Sequence, residues 1–347
     1  MTTNFAATLA ALAAEVAHPR AGGAQLPAGQ SPAVGAACSH APETVRPLAD
    51  RDDGTVVRHG AFVAKGHAPD TDSAALDVRI AVAAHPLLSG VLLAPLPLPT
   101  PLPRPPSGQA PPAPSSGRAA RDRARPLSLW PYGTPVDPAE PDAAPWEETA
   151  VLLARLHRTD TSALPGPLPP MRGPAKAARA VARMLAARPH PAVLAAWRGL
   201  PARARNEAPD PGRTLCHGDL HLGQLVRHPA PDGPWHLIDV DDLGLGDPAW
   251  DLARPAAWYA AGLLAPDVWQ RFLAAYRAAG GPAVRPEGDP WPELDVAARA
   301  LTVQTAALAL AKSTAEDRPL DEVEQLMIDA CARIAQLRPG NGGALPA

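Results

Sequence analysis

The residues of this chain that could do chemistry lie between Leu215 and Ala253. Asp219 sits in a His217-Gly218-Asp219 triplet. Gln224 follows five residues on, and Asp239 closes the apolar run Trp235-His236-Leu237-Ile238 twenty residues after Asp219. A carboxylate in a tight turn can orient and deprotonate a hydroxyl. An amide oxygen and a second carboxylate are oxygen donors of the kind Mg²⁺ takes together with substrate phosphates and water. Phosphoryl transfer asks little more of a protein: a positioned base, metal ligands and charge complementarity for the phosphates. Taken singly, the three residues have plainer readings as a polar turn, a surface amide and a strand-end cap. Their order and spacing favour the joint reading.

Particular local elements have to position these groups. Gly218 lets the chain bend at the triplet, because it tolerates backbone angles other residues resist. Trp235 to Ile238 reads as a short buried strand that delivers Asp239. Asp241 shares a side with Asp239 only while that strand continues, since side chains alternate along a strand. Asp247-Pro248 reads as a helix start, a capping side chain followed by proline in the first turn. His217 reads as a hydrogen-bonded turn histidine, and His221 as a wall of the acceptor pocket. Cys216, His217 and His221 crowd one turn with no second cluster, which is a poor zinc site.

HGDLHLGQ followed by LIDVDDLGLGDPAWDLA resembles the aminoglycoside phosphotransferase family, which has the protein-kinase-like fold. The resemblance is carried mainly by residues 145–337. It implies that Asp219 is the catalytic base, that Gln224 and Asp239 are the Mg²⁺ ligands, and that the acceptor is a small-molecule hydroxyl. The co-substrate would be ATP or GTP. It also implies that Asp251 accepts hydrogen bonds from the backbone of the catalytic turn. Lys65, at the end of a strand, would contact the α- and β-phosphates, with Asp77 as its carboxylate partner and Asp72 second in line. Leu127 and Trp130 would border the adenine. The family more often has Asn at the position of Gln224, and maltokinase-like members carry HLGQ. No GxGxxG-like loop joins the first two strands; Asp52-Asp53-Gly54 stands there instead, and like charges make a poor phosphate cradle.

The rest of the chain fits an α+β fold of two lobes, strands first and helices later. A chain of 347 residues exceeds the usual single core. Residues 1–40 read as an N-terminal extension that opens with a short amphipathic helix, 41–134 as a nucleotide-binding lobe, 135–337 as a catalytic helical lobe, and 338–347 as a disordered tail. In the first lobe, strands are expected at 44–48, 55–58, 61–65, 91–93 and 127–130, with a helix at 73–84. Half of residues 95–114 are proline, which forbids helix or central strand and marks 95–125 as a solvated insertion. In the second lobe the apolar spacing predicts helices over 146–157, 175–188, 192–200, 266–279, 294–312 and 320–337.

Net charge is −3 with 19% charged residues, so no basic footprint points to nucleic acid. Cys38, Cys216 and Cys331 are odd in number and far apart, which argues for a reducing cytoplasm. No apolar run reaches the roughly 18–20 residues of a membrane span, and the N-terminus lacks the basic start and apolar core of a signal peptide. The expected form is a cytoplasmic monomer. Two alternatives to an aminoglycoside-like acceptor remain open: a sugar kinase of primary metabolism, suggested by HLGQ, and a non-catalytic nucleotide-binding scaffold, suggested by the missing glycine loop. An antibiotic acceptor would call for an acidic pocket, for which Asp267, Asp289, Glu293 and Asp295 are available.

Overall fold

In this computed structural model the described residues are 9, 12–14, 46–51, 54–99 and 125–337. Most of the N-terminal extension with Cys38, the Asp52-Asp53 turn, residues 100–124 of the proline-rich insertion and the tail from 338 lie outside them. The chain divides into two compact units.

The first unit holds the described residues up to Ala84, with Leu93–Thr134 and Arg227–Pro234. It is built on an antiparallel sheet in chain order: β1 (Arg46–Arg51), β2 (Gly54–His59), β3 (Phe62–His67) and β4 (Leu127–Pro131). Val57 pairs with Ala64 and Ala64 with Leu129. This cross-strand row is buried with Leu9, Leu12 and Ala13, and such rows of apolar neighbours are what stabilise a sheet face. Lys65, one residue on from Ala64, belongs to the opposite face. The helix α1 (Ser73–Ala83) starts where the Asp72 carboxylate accepts the Ala75 N–H at 3.1 Å. A two-residue strand, β5 (Thr134–Pro135), follows β4.

The expected strand at 91–93 does not join this sheet. Leu92 belongs to the second unit and bridges to Leu237, while the Leu237 N–H donates to Val91 O at 2.8 Å. Beyond it, Leu96 makes a single bridge to Leu129. Prolines at 95, 97 and 99 supply no N–H, so no ladder can extend. The first strand runs to Arg51, past the expected Leu48, and Thr44 and Val45 are outside the described residues.

The second unit is helical: α2 (Trp146–His157), α3 (Gly173–Ala187), α4 (Pro191–Arg198), α5 (Ala249–Ala261), α6 (Pro266–Ala278), α7 (Trp291–Ala315) and α8 (Glu322–Gln336). The long α7 runs through it and packs on α3, α4, α5 and α8. Val303, Ala306, Ala307 and Leu310 of α7 meet Val181 and Met184 of α3, Val193 of α4, and Met327 and Ile328 of α8. The alanines keep the helix axes close. By length and hydropathy α7 could cross a membrane, but 67% of its most apolar window is buried within the fold, which makes it a core helix. A reciprocal capping box between Asp321 and Glu324 starts α8. Four short strands, β6 (Thr214–Cys216), β7 (Leu225–Arg227), β8 (Trp235–Leu237) and β9 (Gly244–Gly246), carry the stretch that contains Asp219 and Asp239. β6 and β9 pair antiparallel, Cys216 opposite Gly244, and so fix the two ends of that stretch together.

Candidate active site

The turn that presents Asp219 is held from below by one buried carboxylate. Asp251, in the first turn of α5, accepts the His217 N–H at 2.6 Å through Oδ2 and the Gly218 N–H at 2.8 Å through Oδ1. Burial alone would raise its pKa. Hydrogen bonds and charge from His157, with help from His217 and the Gly218 N–H, outweigh that and hold the carboxyl below its ordinary value. His157 Nε2 lies 2.9 Å from Asp251 Oδ2, and its Nδ1 lies 2.7 Å from the Tyr276 hydroxyl. That hydroxyl also accepts the Ala283 N–H. A chain of polar contacts thus runs from α6 through α2 and α5 to the turn. Gly218 has φ of +84°, and a Cβ there would come within 2.4 Å of Asp242 O. Only glycine satisfies both the angle and the close approach.

Asp219 is flanked by cations. Lys176 Nζ, from α3, lies 2.5 Å from its Oδ2, and Arg254, one turn after Asp251 on α5, lies 3.4 Å from its Oδ1. Lys176 also reaches Asp242 at 2.8 Å, and Arg172 comes within 3.5 Å of the same carboxylate. Burial alone would lower the Lys176 pKa, but Asp242 and Asp219 outweigh it, and the ammonium titrates above its ordinary value. Burial pushes Asp242 up against the pull of Lys176. Sequence reasoning passed over Asp242, Lys176, Arg254 and His157. Arg254 could have been found from its i,i+3 relation to Asp251; Lys176 carries no local signal, because its partners are distant in sequence. A shallow cleft adjoins Asp219, lined among others by Gly218, Trp250, Arg254, Leu301 and Gln304.

Gln224 and Asp239 come together: the amide Nε2 lies 3.4 Å from Asp239 Oδ2. The carboxylate and the amide oxygen make a hard-donor set that suits Mg²⁺, which needs few protein ligands. Asp239 adopts a left-handed conformation, φ 63°, and immediately precedes a 3₁₀ turn at Val240–Asp242. The strand ends at Leu237, so the alternation that would set Asp241 beside Asp239 does not apply. Among the described residues, a further grouping that could ligate a metal, His157, Cys216 and Asp251, is engaged already. Both nitrogens of His157 have partners, and the buried Cys216 thiol, its pKa pushed well up by burial, points at Thr214 O. His217, fully buried, has Nε2 2.8 Å from Ile238 O. His221 accepts the Gly223 N–H as a cap and is not among the residues lining this cleft. Asp247 accepts the Ala249 N–H at 2.9 Å, as a helix-start cap does.

In the first unit, Lys65 stands on β3 opposite Val56 and Ser128. Asp77 is exposed on α1 and makes no ion pair among the described residues, so the structure does not bring it to Lys65. The second choice, Asp72, is the α1 cap. The buried charge of this helix is Arg79. Leu127 is half-buried at the start of β4 and packs on the sheet's core. Trp130 is buried and donates its indole N–H to Ser128 Oγ, which also meets His67 Nε2. Both therefore have a packing role in the strand.

A family model described as the phosphotransferase enzyme family matches residues 44–291, more than half the chain. The chain belongs to the phosphotransferase enzyme family. It is a phosphotransferase acting on small-molecule hydroxyl groups, as the family resemblance led one to expect. No protein of curated function matches it. Among solved structures, it is similar to an amicoumacin kinase in complex with AMP-PNP, Ca²⁺ and Ami, with a TM-score of 0.55, 16% identity, and 86% of this chain and 90% of that one covered. It is likewise similar to the choline kinase LicA of Streptococcus pneumoniae, with a TM-score of 0.52, 15% identity, and 84% and 92% covered. A thermostable mutant of an aminoglycoside phosphotransferase in ternary complex with AMP-PNP and hygromycin B gives a TM-score of 0.51 at 15% identity, with 86% and 94% covered. At such identity these likenesses speak for the fold. This phosphotransferase has the protein-kinase-like α+β fold, with a small antiparallel-sheet lobe and a helical lobe.

Proposed function

We propose that the chain moves the γ-phosphoryl group of ATP or GTP to a hydroxyl of a small polar acceptor. The observation that carries this reading is the placement of Asp219: a carboxylate on a turn clamped by Asp251, at the mouth of a cleft, in a chain that also pairs Gln224 with Asp239. ATP is favoured because two similar structures hold AMP-PNP.

In this reading the acceptor hydroxyl enters the cleft and hydrogen-bonds to Asp219. As the oxygen attacks the γ-phosphorus, its proton passes to the Asp219 carboxylate, and the bond from the γ-phosphorus to the bridging oxygen breaks. The products are a phosphate ester and a nucleoside diphosphate, and Asp219 returns the proton to solvent. Asp251 fixes the direction of the carboxylate through two backbone N–H groups, and Lys176 fixes one of its oxygens; holding reactants in an attack geometry is a large part of such a rate enhancement. Gln224 and Asp239 would hold Mg²⁺, which supplies charge neutralisation at the phosphate oxygens. The family resemblance would give Lys65 the role of a further cation for the phosphates.

The test is titration of Mg-nucleotide, followed by nucleotide consumption over a panel of aminoglycosides, sugars, choline-like amines and nucleosides, with Asp219→Asn beside the parent. Acceptor-dependent consumption lost in the variant is expected. Nucleotide binding with no turnover on any hydroxyl compound would favour the scaffold.

A further inference from the structure

Building on the phosphotransferase reading, we propose that the acceptor carries a negative charge, a carboxylate or a phosphate near the reacting hydroxyl, and that Arg254 receives it. The charges that face the cleft decide this. Asp219 is the carboxylate lining it, and Lys176 already meets that charge at 2.5 Å. Arg254 is the second charge. Its Nε donates to Leu220 O at 2.9 Å, and one terminal nitrogen lies 3.4 Å from Asp219. A guanidinium has five N–H donors. The remaining donors of Arg254 have no partner among the described residues, on a side chain only 18% exposed. A planar fork of this kind matches the two oxygens of a carboxylate or phosphate.

A second feature of the cleft points to a ligand. The Gln304 side chain lines it and is 6% exposed, yet its amide makes no hydrogen bond among the described residues. Its amide can therefore hydrogen-bond to a ligand hydroxyl or carboxylate oxygen. Trp250 and Leu301 give the same cleft apolar walls.

The acids that would be needed to receive a polycation are held elsewhere. Asp242 is bound to Lys176 and Arg172. Asp267 pairs with Arg271, Glu293 with Arg285 and Asp295 with Arg299. Asp289 caps the start of α7 at Trp291. A polyamine acceptor entering beside Asp219 would meet Arg254 and Lys176 next to that single lining carboxylate.

The experiment uses the full chain saturated with Mg-AMP-PNP, so that phosphate-binding groups are filled. Malonate and, separately, inorganic sulfate are titrated by calorimetry at ionic strength held constant with chloride. Kanamycin is titrated in parallel. Saturable binding of either anion, weakened at least tenfold in Arg254→Gln, supports the proposal. A preference for malonate indicates a carboxylate acceptor, and a preference for sulfate a phosphorylated one. Absence of saturable anion binding, or binding unchanged in the variant, overturns it. So does kanamycin binding more tightly than both anions to the parent, a comparison that stands even where Arg254→Gln does not fold. The Mg-AMP-PNP titration that precedes these steps judges the phosphotransferase reading separately: failure there removes the nucleotide site, whereas failure of the anions alone removes only the acceptor class.

Discussion

His157 Nε2 lies 2.9 Å from Asp251 Oδ2, and both side chains are fully shielded from solvent. Asp251 in turn accepts two backbone N–H groups of the turn that carries Asp219. An isolated buried carboxylate would be costly, and this one is stabilised by three donors. Asp251→Asn puts an NH₂ group where two N–H donors and a histidine converge. Breaking one side of such a buried pair typically costs about 3–5 kcal/mol. We expect a loss of that order in denaturant unfolding, together with loss of turnover. The pH dependence has a fixed sign. The folded-state pKa is depressed, so the stabilisation is complete above the ordinary 3.8 and disappears as pH falls through the folded value. The parent should lose stability on acidification below about pH 4 more steeply than Asp251→Asn; equal slopes would show that Asp251 is not the group concerned.

Asp219→Asn should lower turnover by about 10²–10⁴, the usual cost of losing a general base. Mg-nucleotide affinity should stay within a few-fold. A variant that turns over at near-parental rate would remove Asp219 from the mechanism. Lys176→Met tests the neighbouring ion pair. It leaves Asp242, 12% exposed, without its closest cation, and Asp219 without its restraint. About 1–3 kcal/mol of destabilisation is expected, less than for a fully buried pair because the lysine side chain keeps 27% exposure. Chemical denaturation of parent and variant measures it.

The parts of the site that could be read in the sequence are those made by residues close together along the chain. The turn at Gly218, the strand before Asp239 and the cap at Asp247 each announce themselves through backbone demands or polarity within a few residues. The helices of the second unit were legible for the same reason, since an apolar stripe is a local pattern. Lys176 was not legible, because its two carboxylate partners are brought to it by tertiary folding. His157 looked like the end of an amphipathic helix, and only packing places its two nitrogens between Tyr276 and Asp251. The strand expected at 91–93 failed for a related reason: its composition suits a strand, but the backbone partner it finds is Leu237. The alternation argument for Asp241 held only while the strand continued, and a left-handed residue begins a 3₁₀ turn there instead.

Asp239→Ala and Asp247→Ala separate a ligand from a cap. Asp239 faces the Gln224 amide, whereas Asp247 accepts the Ala249 N–H. Removing the cap should cost about 0.5–2 kcal/mol of stability and leave nucleotide binding intact. Removing Asp239 should abolish Mg-dependent nucleotide binding with little change in melting temperature. Calorimetric titration of Mg-nucleotide into both variants distinguishes them, and the opposite pattern would reverse the two roles.

His221 provides a second pH signature, in a higher window. Burial, reinforced by Arg254, pulls its pKa from 6.5 to about 4. The ring is therefore neutral near pH 7, which leaves Nδ1 free to accept the Gly223 N–H at 3.1 Å. In the unfolded chain the same ring takes a proton near its ordinary 6.5. A depressed folded pKa means that the unfolded state binds the proton first, so acidification favours unfolding. The stabilisation is complete above pH 6.5 and declines as pH falls from there toward 4. His221→Asn keeps a side-chain oxygen able to cap the 3₁₀ turn and removes the titration. We expect the parent to lose stability across pH 6.5 to 4 and the variant to lose less over that interval, with the two closer together at pH 4 than at pH 7. Unfolding curves at half-unit pH steps measure it, and parallel profiles for parent and variant would mean that His221 titrates as freely in the folded chain as in the unfolded one.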